Sequence, residues 1–465
     1  MNRIKIPKEL KQMNTIFKNA GYEAYLVGGA VRDVILKKEA SDWDLATNAH
    51  PEDVKRLFKK VIPTGIAHGT VTVLFMNKEI EVTTYRADQG YSDGRHPDKI
   101  TYAKTIEDDL SRRDFTMNAI AANLNNGKLV DPFKGKKDIK KKIIRTVGNP
   151  KDRFLEDGLR PIRALRFASQ LSFCIEKDTY KAIFEKEIKD KIKSISIERF
   201  RDEFEKILKS EKPSIGLKLM EETGVLNLFI PELAECKNIT QADSRGFHQF
   251  DILDHNIYAC DGAPKNKLNV RLAALFHDIG KKDTRTESFI ENPNSAEKLL
   301  IIHFLKHELK SEKITRNILF RLKFPNSIID NVCHLVKEHM FYYQSNWTDA
   351  AVRRFIVKIG AENFEDLFDL RIADIYGMNN QKVLPNSETI KNLNELTERI
   401  NKVNKENTAL SLKDLKINGN DLIALGVKPG KKIGIILNQL FQTVLDDPTQ
   451  NNKEKLIEIA SNLIN

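Results

Sequence analysis

The chain has 465 residues, and its 76 lysines and arginines exceed its 65 acidic residues by eleven. This length suits two to four domains, and the basic excess favours a polyanionic partner such as a nucleic acid. No run of about eighteen apolar residues occurs, and MNRIKIPKEL lacks the apolar core of a signal peptide, so we expect a cytoplasmic protein without a membrane contact. Widely spaced cysteines argue against a zinc or disulfide framework.

Residues 1 to about 146 show the patterns of an α/β domain. LKQMNTIFKNAG predicts an amphipathic helix, EAYLVGG a strand, and HGTVTVLFMNKEIEVTTYR a hairpin with Asn77 and Lys78 in its turn. On the second hairpin strand, Glu81 is either a third carboxylate near a metal or an ordinary exposed glutamate. The following QGYSDGRHPDKITY is rich in turn residues and predicts a mobile loop, which either helps to reposition a substrate or is a plain surface loop.

The stretch YLVGGAVRDVILKKEASDWDLAT, residues 25–47, combines features of a site for a metal-bound triphosphate. Gly28 and Gly29 precede a predicted helix, where backbone N–H groups can approach a phosphate. Asp42 and Asp44 are two residues apart on a predicted strand and therefore project from one face. Paired carboxylates suit Mg²⁺. Either motif alone is usually a turn or a solvated pair, but their combination favours the site.

TIEDDLSRRDFTMNAIA adds candidate ligands for the phosphates. Arg112 and Arg113 are consecutive at a predicted helix start, and a guanidinium binds phosphate oxygens bidentately. Asp114 and Asn118 are four residues apart, so we expect them to share a helix face.

DRFLEDGLRPIRALRFASQLSF places Asp157, Arg160, Arg163 and Arg166 at intervals of three in a helix-like segment. A carboxylate can accept from an exocyclic amine while the guanidinium beside it donates to an unprotonated ring nitrogen. Cytosine and adenine both offer that pair of groups, whereas uracil and guanine offer the reverse. The pattern therefore predicts a protein template that selects C and A; the alternative is a structural salt bridge.

Several motifs follow one another in the first 210 residues: GGAVRD with DWDLAT, RRDFTMNAIA, DPFKGKKDI, EDGLRPIRALRF and ERFRDEFEKIL. In this order they resemble the motifs of class II tRNA nucleotidyltransferases, or CCA-adding enzymes. That family shares its head with bacterial poly(A) polymerases. The resemblance implies that Asp42 and Asp44 hold a catalytic Mg²⁺, and that YSDGRHP is the family's flexible loop. Pro161 departs from the usual apolar residue and puts the straightness of its helix in doubt. The resemblance also implies that Asp157 and Arg160 are the base template. The residues that it implies as contacts of the nucleotide are Gly28, Gly29, Arg32, Arg113, Asp114, Asn118, Asp157, Arg160, Arg163 and Arg166.

The predicted fold is an α/β head of the polymerase beta-like nucleotidyltransferase type, with a small mixed sheet and helices, followed by an all-α neck, an HD-like body and a tail. We expect the head at 1–146, the neck at 147–212, the body at 213–392 and the tail at 393–465. The implied reaction is template-independent addition of C, C and A to the 3′ end of tRNA from CTP and ATP. The alternatives are a CC-adding or A-adding partial enzyme, a poly(A) polymerase, or a phosphohydrolase with a regulatory nucleotide-binding head.

In the predicted body, histidines and aspartates have the spacing of a second candidate site. His255 lies 22 residues before the pair His277 and Asp278, and Asp374 follows much later. These positions resemble the HD superfamily of metal-dependent phosphohydrolases, in which such residues converge on one divalent metal. His303, His334 and His339 are candidates for additional ligands. Each histidine alone is more often a buried core residue, and a decayed domain without activity is the alternative.

The tail contains LKINGNDLIALGVKPGKKIGIILNQLF, which predicts two helices joined by a turn at Gly426 to Gly430. Lys431 and Lys432 begin the second helix, where N–H groups and lysines suit a nucleic-acid phosphate. A similar segment occurs in the tail of CCA-adding enzymes, where it grips the body of tRNA; a plain helical hairpin is the competing interpretation.

Overall fold

A computed structural model of the protein describes residues 2–40, 42–66, 69–89, 99–246, 249–292, 298–406 and 409–464. The predicted loop YSDGRHP lies outside the described residues. The chain divides into two compact units, Met1–Ala234 and Glu235–Asn465. Within the described residues, no helix has both the length and the apolar character needed to cross a membrane.

The strands of the first unit are short. They are β1 (Ala24–Val27), β2 (Trp43–Thr47), β3 (Val61–Gly65), β4 (Thr70–Phe75), β5 (Lys78–Thr84), β6 (Arg86–Gln89), β7 (Lys99–Tyr102), β8 (Ala121–Asn123), β9 (Leu129–Val130), β10 (Ile143–Ile144) and β11 (Cys174–Ile175).

The helices of the first unit come mostly after the strands. They are α1 (Lys8–Asn19), α2 (Gly29–Ile35), α3 (Pro51–Leu57), α4 (Ile106–Ser111), α5 (Gly135–Lys141), α6 (Pro150–Glu156), α7 (Leu159–Leu171), α8 (Lys177–Ala182), α9 (Lys186–Lys193), α10 (Ile197–Leu208), α11 (Pro213–Glu222), α12 (Val225–Phe229) and α13 (Pro231–Ala234).

A seven-stranded mixed sheet forms the centre of the head, in the order β3-β4-β5-β2-β1-β8-β9. β2 and β5 run parallel, and the other neighbouring strands are antiparallel. Val71 and Val73 on β4 alternate into the core, as the hairpin pattern predicted. The hairpin turn is formed by Met76 and Asn77, both at positive φ, one residue earlier than predicted.

α7 is the central helix of the neck, and α10 and α11 both pack against it. Pro161 is the third residue of α7, so its missing N–H costs no intrahelical hydrogen bond and the helix is not interrupted. Gly216 of α11 lies so near that an added Cβ would be 3.1 Å from Cβ of Ser169. Residues 213–234 are part of the first compact unit, and the predicted boundary between neck and body at 213 stays a prediction.

In the part of the second unit that the structure describes, the elements are helical apart from the hairpin β12–β13, which the sequence pattern did not predict. Its elements are α14 (Ile252–Gly262), α15 (Leu268–Phe276), α16 (Lys281–Thr284), β12 (Arg285–Glu291), β13 (Lys298–Phe304), α17 (His307–Arg321), α18 (Asn326–Glu338), α19 (Asp349–Ile359), α20 (Phe364–Asn379), α21 (Glu388–Lys405), α22 (Gly419–Ala424), α23 (Lys431–Asp446) and α24 (Lys453–Ile464).

α14, α15, α18 and α20 form the core of the body. The close approach of α20 to α14 depends on Gly377, where a Cβ would lie 2.8 Å from the carbonyl oxygen of His255. In the tail, α22, α23 and α24 share a separate apolar cluster. The buried Arg353 of α19 donates to the carbonyl oxygens of Leu445 and Asp446, and so fixes the end of α23.

Candidate functional sites

A polar cavity of about 770 Å³ lies in the first unit, between the sheet and the start of the neck. This volume is in the range of about 300–1,000 Å³ that is usual for small-ligand sites. Most of the predicted nucleotide-site residues line it: Gly28, Gly29, Arg32, Asp42, Asp44, Arg113, Asp114, Asn118, Arg163 and Arg166. The cavity is therefore the place where residues far apart in the sequence meet.

Three carboxylates lie on one side of the cavity. Asp44 on β2 is in register with Glu81 on the parallel strand β5, and Asp42 directly precedes β2. The pKa of Asp44 is raised to about 6, first by burial and then by the nearby carboxylates of Glu81 and Asp42, while Arg113 opposes the shift. Carboxylate oxygens are the kind of ligand that Mg²⁺ prefers.

Gly28 creates the space in which an arginine reaches these carboxylates. It precedes α2 with φ of +71° and ψ of −134°, a conformation that side chains with a Cβ rarely adopt. A Cβ at this position would lie 2.8 Å from Nη1 of Arg113 and 3.9 Å from Oδ2 of Asp44. The glycine therefore serves both the backbone turn and the approach of Arg113 to Asp44.

The buried Asp109 holds the paired arginines. Its Oδ1 accepts from Nη2 of Arg112 at 2.7 Å, and its Oδ2 accepts from Nη2 of Arg113 at 3.2 Å. These two ion pairs lower the pKa of Asp109, against the effect of burial. The prediction that the arginines begin a helix was wrong, since they follow the last residue of α4.

A hydrogen-bonded chain links the head to the neck through the cavity wall. Arg32 donates to Oδ1 of Asn118 at 2.9 Å, Asn118 donates to Oδ1 of Asp114 at 3.0 Å, and Oδ2 of Asp114 is 2.7 Å from Nη2 of Arg163. Although burial raises the pKa of Asp114, Arg163 and Asn118 lower it to about 2. The α-helix predicted here is only a three-residue 3-10 helix, Thr116–Asn118, yet the two side chains meet.

Arg166 is fixed by a residue that the sequence analysis did not select. Its Nε lies 2.5 Å from Oε2 of Glu203 on α10, a side chain that is only 4% exposed. Nη1 of Arg166 donates to Gln170, one turn further along α7, and burial lowers the pKa of Arg166 to about 10. The signal for Glu203 in the sequence was its place on the apolar face of α10, which it shares with Phe200 and Phe204.

Asp157 and Arg160 are not among the residues that line the cavity. Asp157 accepts from Nη2 of Arg199 at 2.7 Å and from the backbone N–H of Leu159 at 2.9 Å. Arg160 is paired with Glu156, and it donates to the carbonyl oxygens of Arg153 and Arg112. The structure therefore gives both predicted template residues protein partners at the junction of α6 and α7.

The second unit brings together the four predicted residues of the body site. The Nε2 atoms of His255 and His277 are 3.1 Å apart. Oδ2 of Asp278 lies 3.2 Å from Nε2 of His255, and Oδ1 of Asp374 lies 3.3 Å from the same nitrogen. Despite burial, His277 and Lys281 hold the pKa of Asp278 well below its usual range. This donor set can hold a metal ion.

Two of the additional histidines that were predicted as ligands lie elsewhere. His303 pairs with Ser288 across the β12–β13 hairpin, and Nε2 of His334 faces the carbonyl oxygen of Ile359. His339 does lie beside Asp278, at 3.7 Å from its Oδ1, and so does His307, at 3.1 Å, which the sequence analysis did not select.

In the tail, the predicted turn between two helices is present. Gly426 and Gly430 have φ of +92° and +149°, and α23 begins with Lys431 and Lys432. Both lysines are exposed. The contact of this turn with a nucleic-acid phosphate stays a prediction.

Comparison with known proteins gives consistent matches along the chain. Residues 24–145 match the poly A polymerase head domain, residues 172–237 an RNA and SrmB-binding site of polymerase A, and residues 294–460 the tRNA nucleotidyltransferase domain 2. The CCA-adding enzyme of Ligilactobacillus salivarius is 34% identical over 99% of this chain and 98% of the relative. That of Enterococcus faecalis is 33% identical over 98% of this chain and 96% of the relative.

The fold is also that of a solved relative. The crystal structure of the Bacillus stearothermophilus CCA-adding enzyme in complex with CTP is 27% identical, with a TM-score of 0.73 over 98% of this chain and 97% of that chain. The predicted fold class, a polymerase beta-like α/β head followed by a mainly helical remainder, is confirmed by this match and by the head-domain match.

Proposed function

The chain belongs to the family of CCA-adding enzymes, and from this premise we propose that the cavity of the first unit is the active site. The protein is a nucleotidyltransferase that adds C, C and A to the 3′ end of tRNA from CTP and ATP, releases pyrophosphate and uses Mg²⁺. The observation that carries the assignment of the site is that Asp42, Asp44 and Glu81 share one cavity with four arginines.

The carboxylates supply the metal ligands in this proposal. Asp42 and Asp44 hold Mg²⁺, and Glu81 adds a third carboxylate in register with Asp44. Mg²⁺ bound there would activate the attacking 3′-hydroxyl and neutralise charge on the leaving pyrophosphate. In the transfer, the 3′ oxygen of the tRNA bonds to the α-phosphorus, and the bond from the α-phosphorus to the pyrophosphate oxygen breaks.

The arginines position the triphosphate. Four arginines reach the cavity and are each held by protein partners: Arg32, Arg113, Arg163 and Arg166. A guanidinium has five N–H donors, so the N–H groups that these partners do not use can bind phosphate. Gly28 and Gly29 allow the backbone to approach the same phosphates, while Asp114 and Asn118 orient the arginines.

Asp157 and Arg160 are the proposed base template. Each carboxylate oxygen accepts more than one hydrogen bond, so Asp157 can accept from a base amine while it remains bonded to Arg199. The hydrogen bonds described for Arg160 use three of its five N–H groups. Together the pair keeps an acceptor and a donor, which match the amine and the unprotonated ring nitrogen of cytosine and adenine.

The remaining assignments follow the same premise. We assign residues 1–146 to the head, 147–212 to the neck, 213–392 to the body and 393–465 to the tail, with the turn before Lys431 contacting the body of the tRNA. Because tRNA, CTP and ATP are its substrates, we also propose that the enzyme works in the cytoplasm.

A stepwise assay tests the reaction and its rivals. Three tRNAs, ending before the first C, after one C and after both, are incubated with CTP or ATP separately, and the products are sized on a gel. The complete enzyme adds C to the first two and A only to the third. A CC-adding or A-adding partial enzyme fails one of these steps, and a poly(A) polymerase adds a run of A to all three.

Two substitutions test the residue roles in that assay. Asp42→Ala should abolish every addition, and a variant that keeps transfer would refute the metal role. Asp157→Ala should retain some transfer but lose selection among the four nucleotides. Asp152→Ala, an exposed carboxylate on α6, is the matched control. Unchanged selection in Asp157→Ala would disprove the template.

A second candidate function is metal-dependent phosphohydrolysis by the body, favoured by the convergence of His255, His277, Asp278 and Asp374. Two imidazole nitrogens with two carboxylates suit a first-row transition metal better than Mg²⁺. Release of p-nitrophenol from p-nitrophenyl phosphate, with added Mn²⁺, measures the activity. His277→Gln should abolish it and leave CCA addition intact, whereas equal release by both proteins would exclude this site as its source.

A further inference from the structure

The short helix α5 carries a dense group of lysines at the surface of the first unit. Six of the nine residues from 134 to 142 are lysines. Ile139, the apolar residue of α5, is buried, whereas five of the lysines are exposed and Lys136 is half-buried. We call these lysines the α5 basic surface: Lys134, Lys136, Lys137, Lys140, Lys141 and Lys142.

The acidic side chains near α5 are engaged with other partners. Asp131 accepts from the backbone N–H groups at the start of α5, and the buried Asp138 accepts from Oγ1 of Thr116 and Nε of Arg145. Within the part of the chain that the structure describes, none of the six lysines forms an ion pair. Like charges three or four residues apart on a helix repel one another, so the α5 basic surface opposes the formation of its own helix.

Two of the lysines occupy backbone positions that glycine would fit better. Lys134 and Lys142 flank α5 with φ of +60° and +56°, in the left-handed region. A residue with a Cβ is disfavoured there, and glycine is the usual choice. Because the charge repulsion and these two conformations both oppose folding, the stability of the fold does not explain this concentration of lysines.

Cations from two other segments lie next to the α5 basic surface. Nζ of Lys136 donates to Oδ1 of Asn2 at 2.9 Å, and Arg3 forms a β-bridge with Lys128, directly before β9. The side chains of Arg3 and Lys128 are exposed, and neither forms an ion pair with a residue that the structure describes. The positive charge therefore extends from α5 to the first residues of the chain.

α5 packs against the short 3-10 helix that contributes to the wall of the nucleotide cavity. The contact leaves no room for a Cβ on Gly135, which would meet the carbonyl oxygen of Thr116. Oγ1 of Thr116 donates to Oδ2 of Asp138 at 2.8 Å, and Asn118, two residues later, lines the cavity. The α5 basic surface is therefore attached to the cavity wall through residues 116–118.

The composition of this surface fits a phosphate backbone better than a protein or a membrane. Lysine is depleted at protein–protein interfaces. A helix that lies in a membrane surface needs an exposed apolar face, but the apolar Ile139 of α5 is buried. A polynucleotide carries a negative charge on every nucleotide, and lysines bind its phosphates without regard to base sequence.

We propose that the α5 basic surface binds the phosphate backbone of the substrate tRNA, outside its 3′ end. This inference rests on the proposed function, in which tRNA is the polyanion that the active site receives. The contact strengthens the binding of tRNA and leaves the chemical step unchanged, because the six lysines are not among the residues that line the cavity.

The salt dependence of tRNA binding tests this contact. The variant combines Lys137→Gln, Lys140→Gln and Lys141→Gln in the full chain; all three side chains are exposed, and glutamine favours a helix, so the melting temperature should not fall. The Kd for tRNA is measured by filter binding over a range of salt concentrations. For each phosphate contact that the variant lacks, a tenfold rise in salt should weaken the parent about eightfold more than the variant. We expect weaker binding by the variant at low salt and convergence at high salt.

A control variant removes the same charge from the other end of the sheet. It combines Lys11→Gln and Lys18→Gln on α1 with Lys59→Gln, shortly before β3; β3 and β9 are the two outermost strands, and the three lysines are exposed. The control should keep the Kd and the salt dependence of the parent. In steady-state addition of C, only the α5 variant should have a raised KM for tRNA, with kcat and the KM for CTP unchanged. Equal weakening in both variants would overturn the proposal.

Failure of this inference differs from failure of the proposed function. A parent that neither binds tRNA nor extends it would refute the proposed function and this contact with it. A parent that adds C and A, beside an α5 variant with the same Kd and salt dependence for tRNA, would refute the contact alone. The contact would also be refuted if the α5 variant lost binding only to phosphatidylglycerol vesicles, since a membrane would then be the partner.

An exposed cysteine beside the α5 basic surface permits a direct test. The N–H of Cys174 donates to the carbonyl oxygen of Lys142 at 2.9 Å, and Cys174 is exposed whereas the other three cysteines are buried. An iron–EDTA reagent attached to this thiol releases hydroxyl radicals that cut a nearby RNA backbone. We expect cuts in a defined segment of bound tRNA, and none with Cys174→Ser. A labelled protein that binds tRNA without such cuts would overturn the proposal.

Discussion

Replacement of Gly28 by alanine tests how the turn before α2 shapes the nucleotide cavity. The backbone at this position has φ of +71° and ψ of −134°, and holding a non-glycine residue in such a region costs about 1–3 kcal/mol. The added Cβ would lie 2.8 Å from Nη1 of Arg113. Since that atom is the far end of a flexible side chain, we expect Arg113 to be displaced and the fold to survive.

The backbone strain and the displacement of Arg113 determine how much stability and activity Gly28→Ala should lose. For a unit of this size, about 1 kcal/mol corresponds to roughly 2–4 °C in melting temperature, so the first unit of Gly28→Ala should melt roughly 2–12 °C lower. Displacement of Arg113 removes one contact to the triphosphate. We expect kcat/KM for the addition of C to fall by about tenfold or more, which is about 1.4 kcal/mol of transition-state stabilisation.

Gly29→Ala is the matched control for stability. Its φ is not positive, and its Cβ would lie 3.6 Å from Nη2 of Arg32, an ordinary contact. We expect the melting temperature of this variant to stay at or slightly above that of the parent, because alanine favours a helix over glycine. The measurements are thermal melts by circular dichroism and steady-state addition of C. A Gly28→Ala enzyme as stable and as active as the parent, or an equal loss of stability in Gly29→Ala, would contradict the reasoning.

Three further outcomes are expected. Because the pKa of Asp114 is about 2 in the folded protein, against about 3.9 when unfolded, its charge contributes stability that is present above about pH 4 and lost as the pH falls toward 2. Acid titration of the free energy of unfolding should therefore lose about 2–3 kcal/mol less in Asp114→Asn. Gly377→Ala should destabilise the body by about 1–3 kcal/mol in a denaturant titration, because it overpacks α14 against α20. A thiol reagent should modify one cysteine in the native protein and the rest only after unfolding, since Cys174 is exposed, whereas burial raises the pKa of the other thiols to about 12: Cys236, Cys260 and Cys333.

Features of the head that depend on residues close together in the chain could be predicted from the sequence. The alternation of Val71 and Val73 specified the buried face of β4, and the spacing of Asp42 and Asp44 brought both residues to the wall of one cavity. A glycine pair between an apolar strand and a helix located the turn. Each of these signals depends on residues that are near one another in the chain.

The parts that depend on tertiary partners could not be predicted. Nothing near Arg166 indicates that Glu203 of another helix would hold it. The partners of Asp157 and Arg160, which include Arg199 and the carbonyl oxygen of Arg112, come from distant segments. The sequence did not indicate His307 either, because this residue reaches Asp278 through the β12–β13 hairpin. Charged residues occur at alternate positions on an exposed strand of that hairpin, and they weaken its apolar pattern.

The pairing of Arg166 with Glu203 has a consequence for how the enzyme is made. Arg32, Asp44, Glu81 and Arg113 come from the early part of the chain, Arg163 and Arg166 follow on α7, and Glu203 comes later still on α10. During synthesis, all four arginines of the cavity are therefore present before the carboxylate that pairs with Arg166. Because a domain folds as a unit, a nascent chain that ends before α10 would hold Arg166 without this partner, and the arginine side of the cavity would be fixed only when that helix has been added.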